Sequence, residues 1–186
     1  MTRIGEAVER LIREEMSSLD VRFTVLSAAA GLLPALVGNR LRTVLFRLAG
    51  LDIGHGSAIG GALKLQGEGR PASRLTIGKF CWINDGCMLD ASAAISIGDH
   101  VGIGQSVAVI TNTHNLGDSA RRCGALTSAP VMIGDGAWVG ARSTILPGVS
   151  IGHGAIVGAG SLVNRSVAPN TLVSGVPARF VRHLGP

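Results

Sequence analysis

Residues 131–165 read V-M-I-G-D-G-A-W-V-G-A-R-S-T-I-L-P-G-V-S-I-G-H-G-A-I-V-G-A-G-S-L-V-N-R. An aliphatic residue returns at every sixth position, usually followed by Gly: Ile133-Gly134, Val139-Gly140, Ile145-Leu146, Ile151-Gly152, Val157-Gly158 and Val163-Asn164. Two positions before each stand Val131, Ala137, Ser143, Val149, Ala155 and Ser161, small or β-branched side chains that suit a second inward slot on a strand. Six residues make a short strand and a corner, so three hexads form one triangular coil and residues eighteen apart stack with shared backbone hydrogen bonds. Gly, Asn or Asp after the aliphatic residue tolerates the positive φ that a tight corner can require.

Upstream, the same period runs through Ile77-Gly78, Ile83-Asn84 and Leu89-Asp90, shifts by two residues, and continues through Ile97-Gly98, Ile103-Gly104 and Val109-Ile110. A weaker first coil begins at Ile53-Gly54 and Ile59-Gly60, so the solenoid is expected to start near Leu51. The predicted fold class is mainly β: a parallel β-helix of hexapeptide repeats with an N-terminal α-helical segment and an inserted active-site loop. The expected organisation is a helical segment at 1–50, the β-helix at 51–182 with its loop at 111–130, and a tail at 183–186. The composition agrees, because 186 residues with 46% hydrophobic, 27 Gly, no Tyr and 3% aromatic must fill a narrow interior with Ile, Val, Leu and Ala.

Lys+Arg number 17 against 12 Asp+Glu, and nearly all of the positive charge is Arg, whose fork suits phosphates and carboxylates. No basic run interleaves with aromatic residues, which argues against nucleic acid as a partner. Cys81, Cys87 and Cys123 are odd in number and lack metal-ligand spacing, so a reducing cytoplasm is expected, with no disulfide framework and no metal. The charged start (Glu6, Glu9, Arg10, Arg13, Glu14, Glu15) does not read as a secretory signal. The apolar stretch Phe23 to Val37 contains Gly31 and Pro34 and is shorter than the ~20 residues of a spanning helix. The favoured reading is an amphipathic helix lying against the body; the alternative is peripheral membrane contact by residues 1–50, helped by Arg40, Arg42 and Arg47.

The hexads break between Thr111 and Pro130, and an interruption in a solenoid marks a functional loop. His114 stands near its start. Transfer of an acyl group from a thioester to an alcohol needs the hydroxyl proton removed as the oxygen attacks, a task suited to a neutral imidazole. A loop histidine taken alone is more often structural or merely exposed. The segments T-H-N-L-G-D at 113–118 and P-V-M-I-G-D-G-A-W-V-G at 130–140 resemble the maltose, galactoside and nodulation-sugar O-acetyltransferases of the hexapeptide-repeat family.

The resemblance runs from about Leu51 to Arg182 and implies a left-handed β-helix, acetyl-CoA as acyl donor, and a homotrimer with active sites in the clefts between neighbouring helices. Carried onto this chain, it makes His114 the catalytic base and assigns Asn84, Asp85 and Trp138 to the acceptor side of the cleft. Asn84 also suits a β-helix corner, a reading that stays open. The last coils, with Gly140, Ala141 and Ala159, are implied to hold the pantetheine arm through backbone groups. Arg165, Arg179 and Arg182, in or near the closing segment G-V-P-A-R-F-V-R, are implied to pair with the nucleotide phosphates, against a purely capping role. One departure concerns the acceptor pocket: relatives carry a Glu late in the loop, where Ala125 or Leu126 stands here.

Cys81 and Cys87 occupy inward slots, and only Cys123 lies in the loop, so direct transfer in a ternary complex is favoured over an acyl-cysteine route. His55, His100, His114, His153 and His183 lack the convergent spacing of the zinc-dependent relatives. The expected acceptor is a hydroxyl of a sugar, glycolipid or polysaccharide precursor, handled in the cytoplasm or at the inner face of the membrane. The alternatives are antibiotic acetylation or a non-enzymatic scaffold.

Overall fold

The computed structural model describes residues 20–185 together with Gly5, Val8 and Glu9. Most of the charged start used above to argue against a secretory signal lies outside the described residues. From Asp52 onward the chain winds as a parallel β-solenoid with three faces. The first face stacks Asp52–Ile53, Leu75–Ile77, Ile95–Ile97, Val131–Ile133 and Ser150–Ile151. The second stacks Ala58–Ile59, Trp82–Ile83, Gly102–Ile103, Trp138–Val139, Ile156–Val157 and Thr171–Ser174, and the third stacks Leu63–Gln66, Cys87–Asp90, Ala108–Ile110, Thr144–Ile145 and Leu162–Val163.

The register follows the aliphatic period. Ile53 pairs with Ile77, Ile77 with Ile97, Ile97 with Ile133 and Ile133 with Ile151. Every aliphatic residue of the long run is buried, and so is each preceding slot from Val131 to Ser161. Ser143 and Ser161 fit the apolar interior because both hydroxyls donate to the Gly158 carbonyl, at 3.0 and 2.6 Å. Corners are locked by carboxylates: Asp99 accepts from the Lys79 amide at 2.7 Å and Asp135 from the Asp99 amide at 2.8 Å. A side chain at Gly98 would overlap the Asp135 carboxylate, so this corner needs glycine.

The regular path is broken at one corner, between the third face and the first. After the first coil an insertion carries the short 3₁₀ turn Pro71–Arg74; after the second, the two-residue shift read from the sequence falls between Asp90 and Ile95. After the third coil comes the expected loop, which is a β-hairpin of Asn112–Leu116 against Cys123–Ser128.

The expected single helix over Phe23 to Val37 is corrected to two helices, α1 (Val21–Gly31) and α2 (Asn39–Leu48), joined by a turn. Asp20 caps α1, its carboxylate accepting from the Phe23 amide at 3.0 Å. The amphipathic helix is α2, which lies across the open edge of the first coil. Arg42, expected to help a membrane contact, is fully buried. Its guanidinium donates to the carbonyls of Ala30 (3.2 Å), Leu33 (2.6 Å), Pro34 (2.7 Å) and Ile59 (3.3 Å) and to Asn39 Oδ1 (3.1 Å). Arg47 likewise donates to the carbonyls of Ile53 and Gly54 at 2.9 and 2.6 Å, and Thr43 Oγ1 accepts from the Ile59 amide at 3.0 Å. The unpaired backbone groups of an edge strand are thus satisfied by side chains of one helix. At the other end Arg179–His183 turns back antiparallel on Thr171–Ser174.

Replacing Arg42 by Met leaves buried carbonyls without donors, so Arg42→Met is expected to lower stability by roughly 3 kcal/mol in urea unfolding. Amide exchange should rise most in α1 and α2. An unchanged midpoint would show that the cap is not held by this side chain.

Candidate active site

Strand alternation sends Ile83, Ile103, Val139 and Val157 inward and therefore sends their preceding neighbours out. On the second face this places Trp82, Gly102, Trp138, Ile156 and Leu172 in one outward row. The row borders a groove of about 560 Å³ that is also lined by Asn84, Gly104, Gln105, Gly140, Ala141, Gly158 and Ala159. Gly102 leaves room between the two tryptophans: a β-carbon there would approach Trp138 Cδ1 to 3.5 Å. Trp138 is 57% exposed, an arrangement that serves a surface and not the core.

The groove brings together Asn84, Trp138, Gly140, Ala141 and Ala159. Asn84 is half-buried and its Oδ1 accepts from the Asp85 amide at 2.9 Å, so it shapes the corner and lines the groove at once. Asp85 does not line the groove; its carboxylate accepts from the Ala62 amide at 2.7 Å and locks a corner, as Asp99 and Asp135 do. Arg179 and Arg182 are exposed on the closing strand, with Arg182 opposite Leu172 at the groove's end. Arg165 is exposed at the bend after Leu162–Val163 and does not line the groove.

His114 sits in the hairpin, opposite Leu126. Its Nδ1 lies 2.9 Å from the Gly124 carbonyl oxygen. A carbonyl can only accept, so Nδ1 carries the hydrogen and the neutral ring keeps its lone pair on Nε2, the state a general base requires. The hairpin leaves the solenoid at the corner between the third and first faces, whereas the groove occupies the second face, across the triangle. A single chain therefore does not bring His114 to Asn84 and Trp138.

Trp82 is a prominent groove residue to which sequence reasoning gave no role. The available signal was that Trp82 and Trp138 precede inward residues in corresponding slots, two coils apart with only Gly102 between them.

Cys81 and Cys87 are buried as expected, their thiols 2.9 and 3.3 Å from the Gly98 and Gly104 carbonyl oxygens. Burial raises both thiol pKa values, that of Cys87 to about 11, so neither offers a thiolate near neutral pH. Cys123 is exposed on the hairpin. Among the described residues no group of three or more His, Cys, Asp or Glu is placed to hold a metal ion.

A stack of hexapeptide coils interrupted by a histidine-bearing hairpin defines a class of protein, and comparison supports it. The family model for the bacterial transferase hexapeptide (six repeats) matches residues 130–165. The galactoside O-acetyltransferase of Escherichia coli (strain K12) is 33% identical over 112 residues, 60% of this chain and 55% of that protein. This chain thus spans about half the length of that curated relative. A protein of the same organism named as a colanic acid biosynthesis acetyltransferase, WcaF, is 33% identical over 143 residues, covering 77% of this chain and 75% of that one. A hexapeptide-repeat acetyltransferase of Vibrio cholerae O1 biovar eltor, solved with acetyl coenzyme A, superposes with a TM-score of 0.78 at 31% identity over 92% of this chain and 90% of that one. The solenoid is accordingly the left-handed parallel β-helix. The chain belongs to the hexapeptide-repeat acetyltransferase family.

In the native protein at pH 8, one of the three thiols should react rapidly with a maleimide, and Cys123→Ser should abolish that fast phase. Rapid modification of Cys81 or Cys87 would contradict the protonated, buried state assigned to them.

Proposed function

We propose that the protein is a coenzyme-A-dependent O-acyltransferase that moves an acetyl group from acetyl-CoA to a hydroxyl of a sugar or glycan precursor. The observation that carries this reading is His114, held on a projecting hairpin with Nδ1–H committed to Gly124 and Nε2 left as a base. The groove is largely apolar and, at Gly140, Ala141 and Ala159, is lined by residues with small or no side chains, which suits a pantetheine arm lying along the backbone. The relative from Vibrio cholerae was solved with acetyl-CoA bound, which agrees with this assignment. Arg179 and Arg182 at the groove's end, with Arg165 on the neighbouring bend, would pair with the nucleotide phosphates.

In the proposed reaction the acceptor hydroxyl loses its proton to His114 Nε2 while its oxygen attacks the thioester carbonyl. The tetrahedral adduct collapses with cleavage of the carbon–sulfur bond, and the coenzyme A thiolate leaves and takes up the proton from the imidazolium. The products are an O-acetyl ester and free coenzyme A. Because His114 and the groove lie on opposite sides of one triangle, each site needs the hairpin of one subunit against the second face of another, as a trimer would provide.

For residues 20–48, a secondary reading is peripheral contact with a membrane's inner surface. Leu32 is 87% exposed, and Val21, Val25, Val37 and Leu41 are exposed near Arg22 and Arg40. Among the described residues no helix is long and apolar enough to cross a membrane.

His114→Ala should leave the oligomer intact and lower acceptor-dependent release of thiol from acetyl-CoA by roughly 10²–10⁴. Arg179→Ala and Arg182→Ala should raise the KM for acetyl-CoA more than that for the acceptor. Near-normal turnover without His114 would remove it as the base, and a monomer that turns over would remove the shared site.

A further inference from the structure

Each of the two N-terminal helices is apolar on two opposite sides, and the solenoid uses one of them. On α1 the inward side carries Phe23, Leu26 and Ala30, which pack with the core. At about 3.6 residues per turn the opposite side carries Val21, Val25 and Ala28, continued by Leu32, and all four are exposed. On α2 the inward side carries Arg42, Thr43 and Phe46, all buried, whereas Leu41, Val44 and Leu48 run exposed along the far side. A helix that is apolar all round is ordinarily covered all round. Here a second apolar layer faces whatever lies beyond the end of the solenoid.

The polar groups of this unit are largely spent on itself. Thr24 and Ser27 turn their hydroxyls back onto α1, donating to the carbonyls of Asp20 at 2.9 Å and Phe23 at 2.6 Å. A hydroxyl satisfied in this way has little need of water or of an outside partner. The Asp20 carboxylate caps α1, while Arg42 and Arg47 serve the α1–α2 turn and the first coil. Arg22 on α1 and Arg40 on α2 remain exposed. No Asp or Glu stands between Asp20 and Asp52, so the two helices and their turn carry positive charge with no counter-charge of their own.

We infer that the outward side of α1 and α2 is a docking surface for an anionic phospholipid bilayer, with the two apolar rows seated at the headgroup–acyl boundary and Arg22 and Arg40 paired with headgroup phosphates. The assignment rests on the secondary reading of residues 20–48, to which it gives a partner chemistry, and it stands apart from the transferase reading. Lipid fits this surface better than protein does. A protein interface carries about one hydrogen bond per 100–200 Å², and among the described residues this side offers two exposed guanidinium groups and otherwise apolar rows. Acyl chains ask for no hydrogen bonds, and the phosphates supply the anions that an acid-free surface lacks. Each arginine near such a surface strengthens binding about fivefold. With 11 and 10 residues, α1 and α2 are too short to enter the hydrocarbon core end-on and would lie in the plane of the interface.

The test is flotation of the full chain, in its native oligomer, with vesicles of phosphatidylcholine alone and of phosphatidylcholine mixed with phosphatidylglycerol. The protein should float with the mixed vesicles far more than with the neutral ones, and added salt should weaken that binding. Arg22→Gln combined with Arg40→Gln should weaken binding to the mixed vesicles by roughly thirtyfold at low salt. Leu32→Glu combined with Leu41→Glu should abolish it. Both variants should keep the parent oligomer and urea midpoint, because all four side chains are exposed. Equal flotation with both vesicles, flotation with neither, or undiminished binding by either variant would overturn the assignment. Dissociation of the oligomer by Leu32→Glu with Leu41→Glu would also overturn it, by placing a second copy of the chain on this side. Binding that both variants lose upholds the surface whether or not thiol is released from acetyl-CoA, so its failure and that of the transferase reading are told apart.

Discussion

Backbone hydrogen bonding between stacked coils is the constraint on which the rest of this structure depends. Each solenoid strand has only two to four residues, too few to be stable alone, so it persists because the strands above and below donate and accept in register. That register can hold only if the side chains between the strands match in size from coil to coil, which is why Ile, Val, Leu and a small second slot recur. A chain under that constraint gives up freedom at every inward position. Chemistry is confined to the outward slots, the corners and the interruptions.

A stack of coils has two open ends, and each must be closed without another coil. At the start the closure is polar. Arg42, Arg47 and Thr43 project from one helix onto the carbonyls and amide of the first coil, and the buried Arg42 guanidinium has no carboxylate partner among the described residues. Its charge is solvated by four carbonyl dipoles and one side-chain amide oxygen in place of water. At the far end the last strand is covered by the chain itself, turned back antiparallel, and this puts Arg179 and Arg182 beside the groove. The same closing segment that ends the solenoid supplies positive charge at the end of the groove.

The solenoid was legible because a period of six with buried aliphatic residues has few other physical solutions. The inward slots, the start near Leu51, the break at Thr111 and the outward position of Trp138 all follow from that period. The N-terminal helices were legible only in part. An apolar stretch and nearby arginines look alike whether they meet lipid or protein, and only the carbonyls at the edge of the first coil show why Arg42 and Arg47 turn inward. For the candidate site, the backbone-lined groove was readable as a run of small residues, and His114 through its place in the interruption. Asp85 could not be placed from sequence alone, because a corner carboxylate that binds an amide of the neighbouring coil has the same local sequence as one facing a ligand. The depression lined by Glu68, Asp90, Ser92, Asn112 and Leu126 was not legible at all, because its members come from three different coils and only the stacking brings them together.

That stacking bears on how a repetitive fold acquires specificity. A regular hexad run offers the same outward surface on every coil, and such a surface suits a partner that is itself extended and recognised mainly through the backbone. A compact partner needs a concave, chemically mixed site, which regular coils cannot form. Here the insertion, the shift and the hairpin fall at the same corner of successive coils, so each departure from the period becomes a wall of one cavity. Moving any of the three to another corner would leave the hydrophobic interior intact but disperse the polar groups over the surface. The interior does not require these irregularities to align, and their alignment is what gathers the polar groups at one corner.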